Sequence, residues 1–257
     1  MLRPRITPCL LVHKNGLVKT RQFAEPKYVG DPLNAVRIFN EKEVDEITVL
    51  DIDATVERRE PDYGLIANLA AECRMPLCYG GGVRTPQQVE RIIGLGVEKV
   101  AISAAAVETP DMIRSAAQVV GNQSVAVVMD VRRSRSGACE LFTHNGRKAT
   151  GQDPIAFARR MVDLGAGEIV VNSIDRDGMM QGYDLDLARG VRSAVGCPMT
   201  VLGGAGSLDH IRELIRELGI LGAAAGSLFV FKGVYRAVLI NYPRREDKDR
   251  LVREAVA

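Results

Sequence analysis

The chain has 257 residues, with 34 Lys+Arg against 32 Asp+Glu, a net charge of +2 and 46% apolar residues. Such a length suits either two small domains or one large barrel, and the composition is that of an ordinary soluble protein able to bury a sizeable core. The charge balance excludes a nucleic-acid stripe or polybasic arm, and no apolar run approaches a membrane span. The N-terminal MLRPRITPCLLV is too short and too soon interrupted for a signal peptide. Five scattered cysteines (Cys9, Cys73, Cys78, Cys139, Cys197) lack metal-ligand spacing and read as reduced thiols. A cytoplasmic protein with no metal and no cofactor is expected.

Strand-like and helix-like patterns alternate along almost the whole chain. Ile6–Val12 reads as a first strand, and a long polar loop, His13–Asp31, follows it. Leu33–Asn40 reads as helix, Glu46–Ile52 as strand and Tyr63–Cys73 as helix. Pro76–Tyr79 leads into a triple glycine, then helix Gln87–Leu95, strand Lys99–Ser103 and helix Met112–Val120. After strand Ser124–Asp130, residues 132–152 suggest a small hairpin, ACELFT paired across an Asn-Gly turn. Helix Ile155–Leu164, strand Glu168–Asn172, helix Leu185–Val195 and strand Met199–Leu202 come next. Helix His210–Leu218, strand Leu221–Ala225, a helical Val234–Leu239 and a charged tail complete the chain.

The stretch Tyr79–Ser103, strand end, glycine turn, helix and strand, returns as Leu202–Ser227. Gly81 and Gly204 are 123 positions apart, and so are Ser103 and Gly226. The echo marks two duplicated halves, about 1–122 and 123–240. Eight strand–helix units without a linker predict one α/β domain over 1–257, a single closed (β/α)₈ barrel. An open dinucleotide-binding sheet fails on detail, because clustered glycines are not G-x-G-x-x-G and no acid is placed for a ribose.

In such barrels the chemistry lies at the carboxyl ends of the strands. The exit residues are Leu11, Asp51, Gly80–Gly82, Ser103, Asp130, Asp175 and Asp177, Gly203–Gly204 and Gly226–Ser227. Glycines there let backbone N–H groups approach an anion, and two such turns on opposite sides imply a doubly phosphorylated ligand. Equally, small residues permit tight loops. Asp130 presents a carboxylate able to move protons, or caps a loop. Asp51 reads as structural or orienting, and Asp175 and Asp177 either hold a ligand hydroxyl or bridge Arg176. Lys19 either clamps a phosphate from its loop or is solvated. At the opposite end, Arg5, Glu46, Lys99 and Glu168 start strands or lie one residue from their starts. Their alternating charges suit a ring across the bottom, or ordinary salt bridges.

Together these residues resemble the cyclase subunit of imidazole glycerol phosphate synthase, the glutamine-dependent enzyme of histidine biosynthesis, over nearly the whole chain. The matching stretches are RITPCL, GLVK, GDP at 30–32, DEITVLDI, GGGVRT, EKVAIS, SVAVVMD, GAGEIVVNSIDRDG, GYDLDLARGV, GGAG and AAAGSLF. The resemblance implies a glutaminase partner, in a heterodimer, docked on the strand-entrance face, with ammonia passing up the barrel axis. It implies an ammonia gate of Arg5, Glu46, Lys99 and Glu168. Gly82 and Ser103 match one phosphate site; Gly204, Gly226 and Ser227 match the other. Lys19 matches the loop lysine and Asp130 one of two catalytic carboxylates, while Asp177 and Gly178 fall in the substrate-binding loop.

One departure limits the carry-over. The family's other carboxylate ends the first strand in PCLD, whereas this chain reads PCLL, with Leu11 there. Leucine moves no proton, and losing a general acid typically costs roughly 10²–10⁴-fold in rate. Strand alternation puts His13 on the face of Leu11, a candidate substitute. Ser103-Ala104 replaces an asparagine–threonine pair, Leu202 replaces a serine before GGAG, and KTRQF replaces KGSNF. The segment LVKTRQFAEPKYVGDPLNAVRIFNEKEVDEI, with PCLL, is more similar to a paralogous branch found with surface-polysaccharide genes. Members of that branch work with a glutaminase and a separate sugar amidotransferase that makes acetamidino groups. Three readings are therefore set against each other. The first is an ammonia-conducting barrel that serves a third, sugar-amidating protein. The second is a working cyclase acting on a bis-phosphorylated ribosyl substrate. The third is a non-catalytic scaffold that activates its glutaminase.

Overall fold

The computed structural model describes residues 3–134, 137–233 and 235–256. Eight strands, β1 (Arg5–His13), β2 (Ile47–Asp51), β3 (Leu77–Gly80), β4 (Lys99–Ile102), β5 (Val125–Arg133), β6 (Glu168–Ser173), β7 (Met199–Leu202) and β8 (Gly222–Ala225), pair in parallel. Each pairs with the next, and β8 pairs with β1 through Arg5↔Gly222 to Pro8↔Ala225, so the sheet closes into a barrel. The chain is thus the expected (β/α)₈ barrel. Its strands read as near-continuous apolar runs because helices cover one face and the barrel axis the other.

The outer layer consists of α1 (Pro32–Glu41), α2 (Tyr63–Glu72), α3 (Pro86–Gly94), α4 (Asp111–Val120), α5 (Pro154–Asp163), α6 (Leu185–Ala194), α7 (Leu208–Leu218) and α8 (Arg245–Val256). Their starts are written in the sequence. Asp31, Asp62, Asp153, Asp184 and Ser207 each accept the N–H three residues on. Thr85 and Gln88 form a reciprocal capping box ahead of α3. Each such cap is worth about 1 kcal/mol. Pro32, Pro86 and Pro154 sit at helix starts, where a missing N–H costs nothing.

The core lies between helices and sheet, around fully buried Phe39, Ile66, Leu69, Tyr79, Ile92 and Phe229. Inside the barrel the filling is thinner: Cys78, Ala101 and Val128 form a separate cluster touched by Leu50 and Val170. Barrels usually fill this space with bulky branched layers. Small side chains here leave open space on the axis.

Two sequence expectations need correction. The segment His13–Asp31 is not a polar loop but a hairpin, Gly16–Arg21 paired with Ala24–Gly30, which continues β1 through Leu11↔Val18. Two reversals with positive φ make it, Lys14-Asn15 (48° and 63°) and Gln22-Phe23 (51° and 64°). That pattern matches the twist of paired strands, and only Asn15 carries its usual chemistry. The outer strand is exposed from Ala24 to Tyr28, so no apolar alternation announced it. Second, Val234–Leu239 is not a helix. Phe231–Lys232 pairs with Ala237–Val238 across a turn, and Val234 itself lies outside the described residues. The expected charged tail contains α8, which buries Leu251 and Ala255 and ties back through Arg3–Asp249, Lys248–Asp45 and Arg212–Glu254 pairs.

The 132–152 region does form the hairpin around Asn145-Gly146, with Phe142↔Ala149 and Thr143↔Lys148. Its first strand, Cys139–Thr143, also pairs antiparallel with a continuation of β5 beyond Asp130. Among the described residues no helix is long and apolar enough to cross a membrane.

Candidate active site and axial passage

Strand alternation stacks the inward side chains in layers along the axis. On β1 the column runs Arg5, Thr7, Cys9, Leu11; on β6 it runs Glu168, Val170, Asn172; on β5 it runs Ala126, Val128, Asp130. The bottom layer is charged, the middle layers are small and apolar, and the top layer opens to solvent.

At the strand entrances Arg5, Glu46, Lys99 and Glu168 form a closed ring. Arg5 Nη2 lies 2.6 Å from Glu168 Oε1 and Arg5 Nη1 lies 3.2 Å from Glu46 Oε2. Lys99 Nζ lies 2.7 Å from Glu168 Oε2 and also pairs with Glu46 Oε1. Thr200 Oγ1 donates to Glu168 Oε1 at 2.6 Å. Burial alone would push the Lys99 ammonium down, but Glu168 and Glu46 together hold it above its ordinary value. Burial likewise works against the Glu168 carboxylate, and Lys99 and Arg5 hold it below its ordinary range. Charges this buried persist only because each has its partners.

Above the ring is a small cavity of about 20 Å³, lined by Thr7, Glu46, Thr48, Cys78, Glu168, Thr200 and Ala224 among others. It has room for one water-sized molecule. Cys9, Leu50, Ala101, Val128 and Leu202 line both this cavity and the larger mouth above it. These five side chains form a narrow apolar layer between the two.

The mouth is a cavity of about 150 Å³ at the carboxyl ends of the strands. Its lining contains Leu11, Lys19, Gly82, Ser103, Asp130, Asp177, Gly178, Gly204, Gly226 and Ser227, whereas Asp175, also expected at the strand exits, is not part of it. Asp130 accepts a hydrogen bond from Asn172 Nδ2 at 2.8 Å and another from the Ser103 hydroxyl. Burial dominates and, with Asp177 nearby, pushes its carboxyl up to about 6 despite those two donors. A carboxyl near neutrality suits proton transfer. Across the mouth, on β1, stands Leu11.

Lys19 is neither in a loop nor solvated. It lies on the first hairpin strand, 5% exposed, and its Nζ donates to the Cys9 carbonyl. Burial pushes its ammonium down, with Asp177 opposing. Asp177 does not bridge Arg176. It accepts from Thr20 Oγ1 at 2.6 Å and from the Phe23 N–H at 3.2 Å, and so binds the hairpin to the β6 exit. Asp175 accepts the Arg133 N–H at 2.8 Å, and Asp51 accepts the N–H groups of Asp53 and Ala54, holding the β2 exit turn. His13 is engaged by Asp53, Nδ1 to Oδ1 at 2.7 Å, and takes no part in the mouth lining.

Two glycine turns flank the mouth. Gly82 has φ +73° and donates to Thr55 Oγ1 at 3.3 Å; Gly204 has φ +113°, and a Cβ there would meet the Gly182 carbonyl. Short helices begin at Ala104, directly after Ser103, and at Ser227, directly after Gly226. The two hairpins close over the opening: Phe23 comes against Gly146, and Asn145 Nδ2 donates to the Ile52 carbonyl at 2.7 Å. Among the described residues no group of His, Cys, Asp or Glu is placed to hold a metal ion.

Sequence reasoning missed Asn172, Thr20, Phe23, His144 and Asn145 in the mouth, and Thr7, Thr48 and Thr200 on the axis. A signal existed for the strand residues, since Asn172, Thr7 and Thr200 share inward columns with Glu168, Arg5 and Leu202. The hairpin tips carried none.

A family model for histidine biosynthesis proteins matches residues 5–236. A protein of Leptospira borgpetersenii, provisionally named imidazole glycerol phosphate synthase subunit HisF, is 56% identical over 252 residues, 98% of this chain and 99% of that protein. A Vibrio vulnificus relative, provisionally named subunit hisF3 of the same synthase, is 55% identical over 97% of this chain and 96% of its own length. A Pseudomonas aeruginosa relative, provisionally named hisF2, is 49% identical over 95% and 97%.

Proposed function

The chain belongs to the histidine biosynthesis protein family, and from that premise we propose that it is a barrel subunit of a glutamine-dependent amidotransferase of the imidazole glycerol phosphate synthase type. A glutaminase docks at the strand-entrance face. Ammonia enters at Arg5, Glu46, Lys99 and Glu168, crosses the apolar layer and leaves at the mouth. There a separate sugar amidotransferase uses it to make an acetamidino sugar for surface polysaccharide. Gly82 with Ser103, and Gly204 with Gly226, Ser227 and Lys19, serve as sites for the phosphates of a phosphorylated ligand.

Leu11 carries this reading. It lines the mouth opposite Asp130, where the cyclase chemistry needs a second proton-transferring group, and His13, the candidate substitute, is tied to Asp53 outside the mouth lining. A conduit needs the charged ring, the axis and a docking face, but not two acids.

A second reading has its own support. The near-neutral Asp130 carboxyl and the names of the full-length relatives favour an active cyclase that turns over the bis-phosphorylated ribosyl substrate. Turnover of that substrate by the purified chain at high ammonium, beside Leu11→Asp, separates the two. The conduit reading expects an inert native chain. Native turnover matching that of Leu11→Asp overturns it and makes position 11 dispensable.

A further inference from the structure

Two of the buried polar atoms left without a hydrogen-bond partner lie on the axial path: Thr7 Oγ1, in the lower cavity, and Asn172 Oδ1, in the mouth. They stand on either side of the narrow apolar layer. An unpaired buried acceptor costs about 1–3 kcal/mol, so such an atom calls for a ligand. Asn172 is 5% exposed, and its orientation is fixed. Its Nδ2 donates to Asp130 Oδ1 at 2.8 Å, and a flipped amide would set oxygen against carboxylate. Oδ1 is therefore left free.

We propose that Asn172 Oδ1 and the Asp130 carboxylate form a holding site for ammonia at the top of the apolar layer. The inference rests on the conduit reading and adds a defined station to it. A molecule passing Leu50, Val128 and Leu202 comes out beside Asn172 and Asp130, which lie two residues further along β6 and β5 than Val170 and Val128. The Leu11 and Leu202 side chains offer no acceptor, and Lys19 Nζ on the β1 side is a donor held by the Cys9 carbonyl. The station presents acceptors: the free amide oxygen and a carboxylate with lone pairs beyond those used by Asn172 and Ser103. Ammonia has three N–H donors and ammonium four, against two O–H donors in water. The site therefore matches a nitrogen donor better than it matches water.

The test is an ammonium chloride titration of the full ¹⁵N-labelled chain, following the Asn172 side-chain amide, beside sodium chloride and tetramethylammonium chloride at equal ionic strength. A saturable shift with ammonium alone is expected, and Asp130→Asn should raise the half-saturation concentration several-fold while keeping the amide signal. A drift shared by all three salts, or saturation unchanged in Asp130→Asn, overturns the site. Failure of the conduit appears elsewhere, as unchanged coupling to the glutaminase when the ring is broken. The two ideas can therefore fall separately.

Discussion

Glu168 binds two cations at once: its Oε2 lies 2.7 Å from Lys99 Nζ, and its Oε1 lies 2.6 Å from Arg5 Nη2. One carboxylate thus links the strand entrances of β1, β4 and β6. With Glu46 completing the circuit, the ring is a plug of paired charge beneath an apolar axis.

Removing Lys99 tests the plug. Lys99→Ala leaves two buried carboxylates with Arg5 alone between them, and breaking such a pair typically costs about 3–5 kcal/mol. Lys99→Met keeps the volume and separates lost charge from lost packing. In the complex with its glutaminase, both variants should consume glutamine while less of its nitrogen reaches product. An unchanged ratio of product to glutamine consumed would remove the ring from the ammonia path.

The same contacts set a pH window. Glu168 is held below its ordinary value of 4.5, so its stabilisation is complete above that pH and fades as pH falls through the lowered value. Lys99 is held above 10.5, so its share is complete below that pH and is lost as pH rises through the raised value. Thermal melts of native chain and Lys99→Met should differ most between these limits and converge at both extremes. A constant difference across the range would mean that the ion pairs carry none of it.

Asp130 works in the opposite direction. Its carboxyl is raised from 3.8 to about 6, so ionising it opposes folding, and stability should fall as pH rises across that interval. The interval corresponds to about 3 kcal/mol. Asp130→Asn, which can still accept from Asn172, should melt higher than the native chain at pH 7 and equal to it near pH 3. A variant less stable at neutral pH would show that the charged form is favoured by contacts in the mouth.

The barrel was legible because its signals are local and repeated: capped helices, apolar strands and two glycine turns 123 positions apart. The mouth residues at strand ends were legible for the same reason, since exit position alone places a side chain there. What escaped was set by tertiary packing. Lys19 looks like a loop lysine until the Lys14-Asn15 reversal folds its strand against β1 and buries it. Asn172 looks like an ordinary strand residue until its register opposite Asp130 leaves one amide oxygen unpaired.

The thiols should be poorly reactive. Burial pushes Cys9 up to about 11 and Cys73 to about 12, and it raises Cys78, Cys139 and Cys197 as well. Thiolate is the reactive form, so at pH 8 a disulfide reagent should label the native chain slowly and reach all five cysteines only after denaturation. Rapid native labelling of Cys78 would show that the axial cavity opens to solvent far more often than its lining allows.

Gly178 governs how the first hairpin seats over the mouth. Its φ is +66°, and a Cβ there would lie 2.0 Å from the Thr20 carbonyl oxygen. Gly178→Ala must therefore displace the Gly16–Arg21 strand, and with it the contacts of Asp177 to Thr20 and Phe23. Strain at a positive φ adds more than about 1 kcal/mol. The barrel strands do not depend on this contact, so the damage should stay local. Trypsin should then cut quickly at Lys19, Arg21 or Lys27 while the rest of the chain stays resistant. Lys19, freed from the Cys9 carbonyl, should also become accessible to amine reagents. Cleavage at native speed would mean that the hairpin is held by its pairing to β1 alone. Loss of the whole fold would mean that it is an integral part of the barrel core.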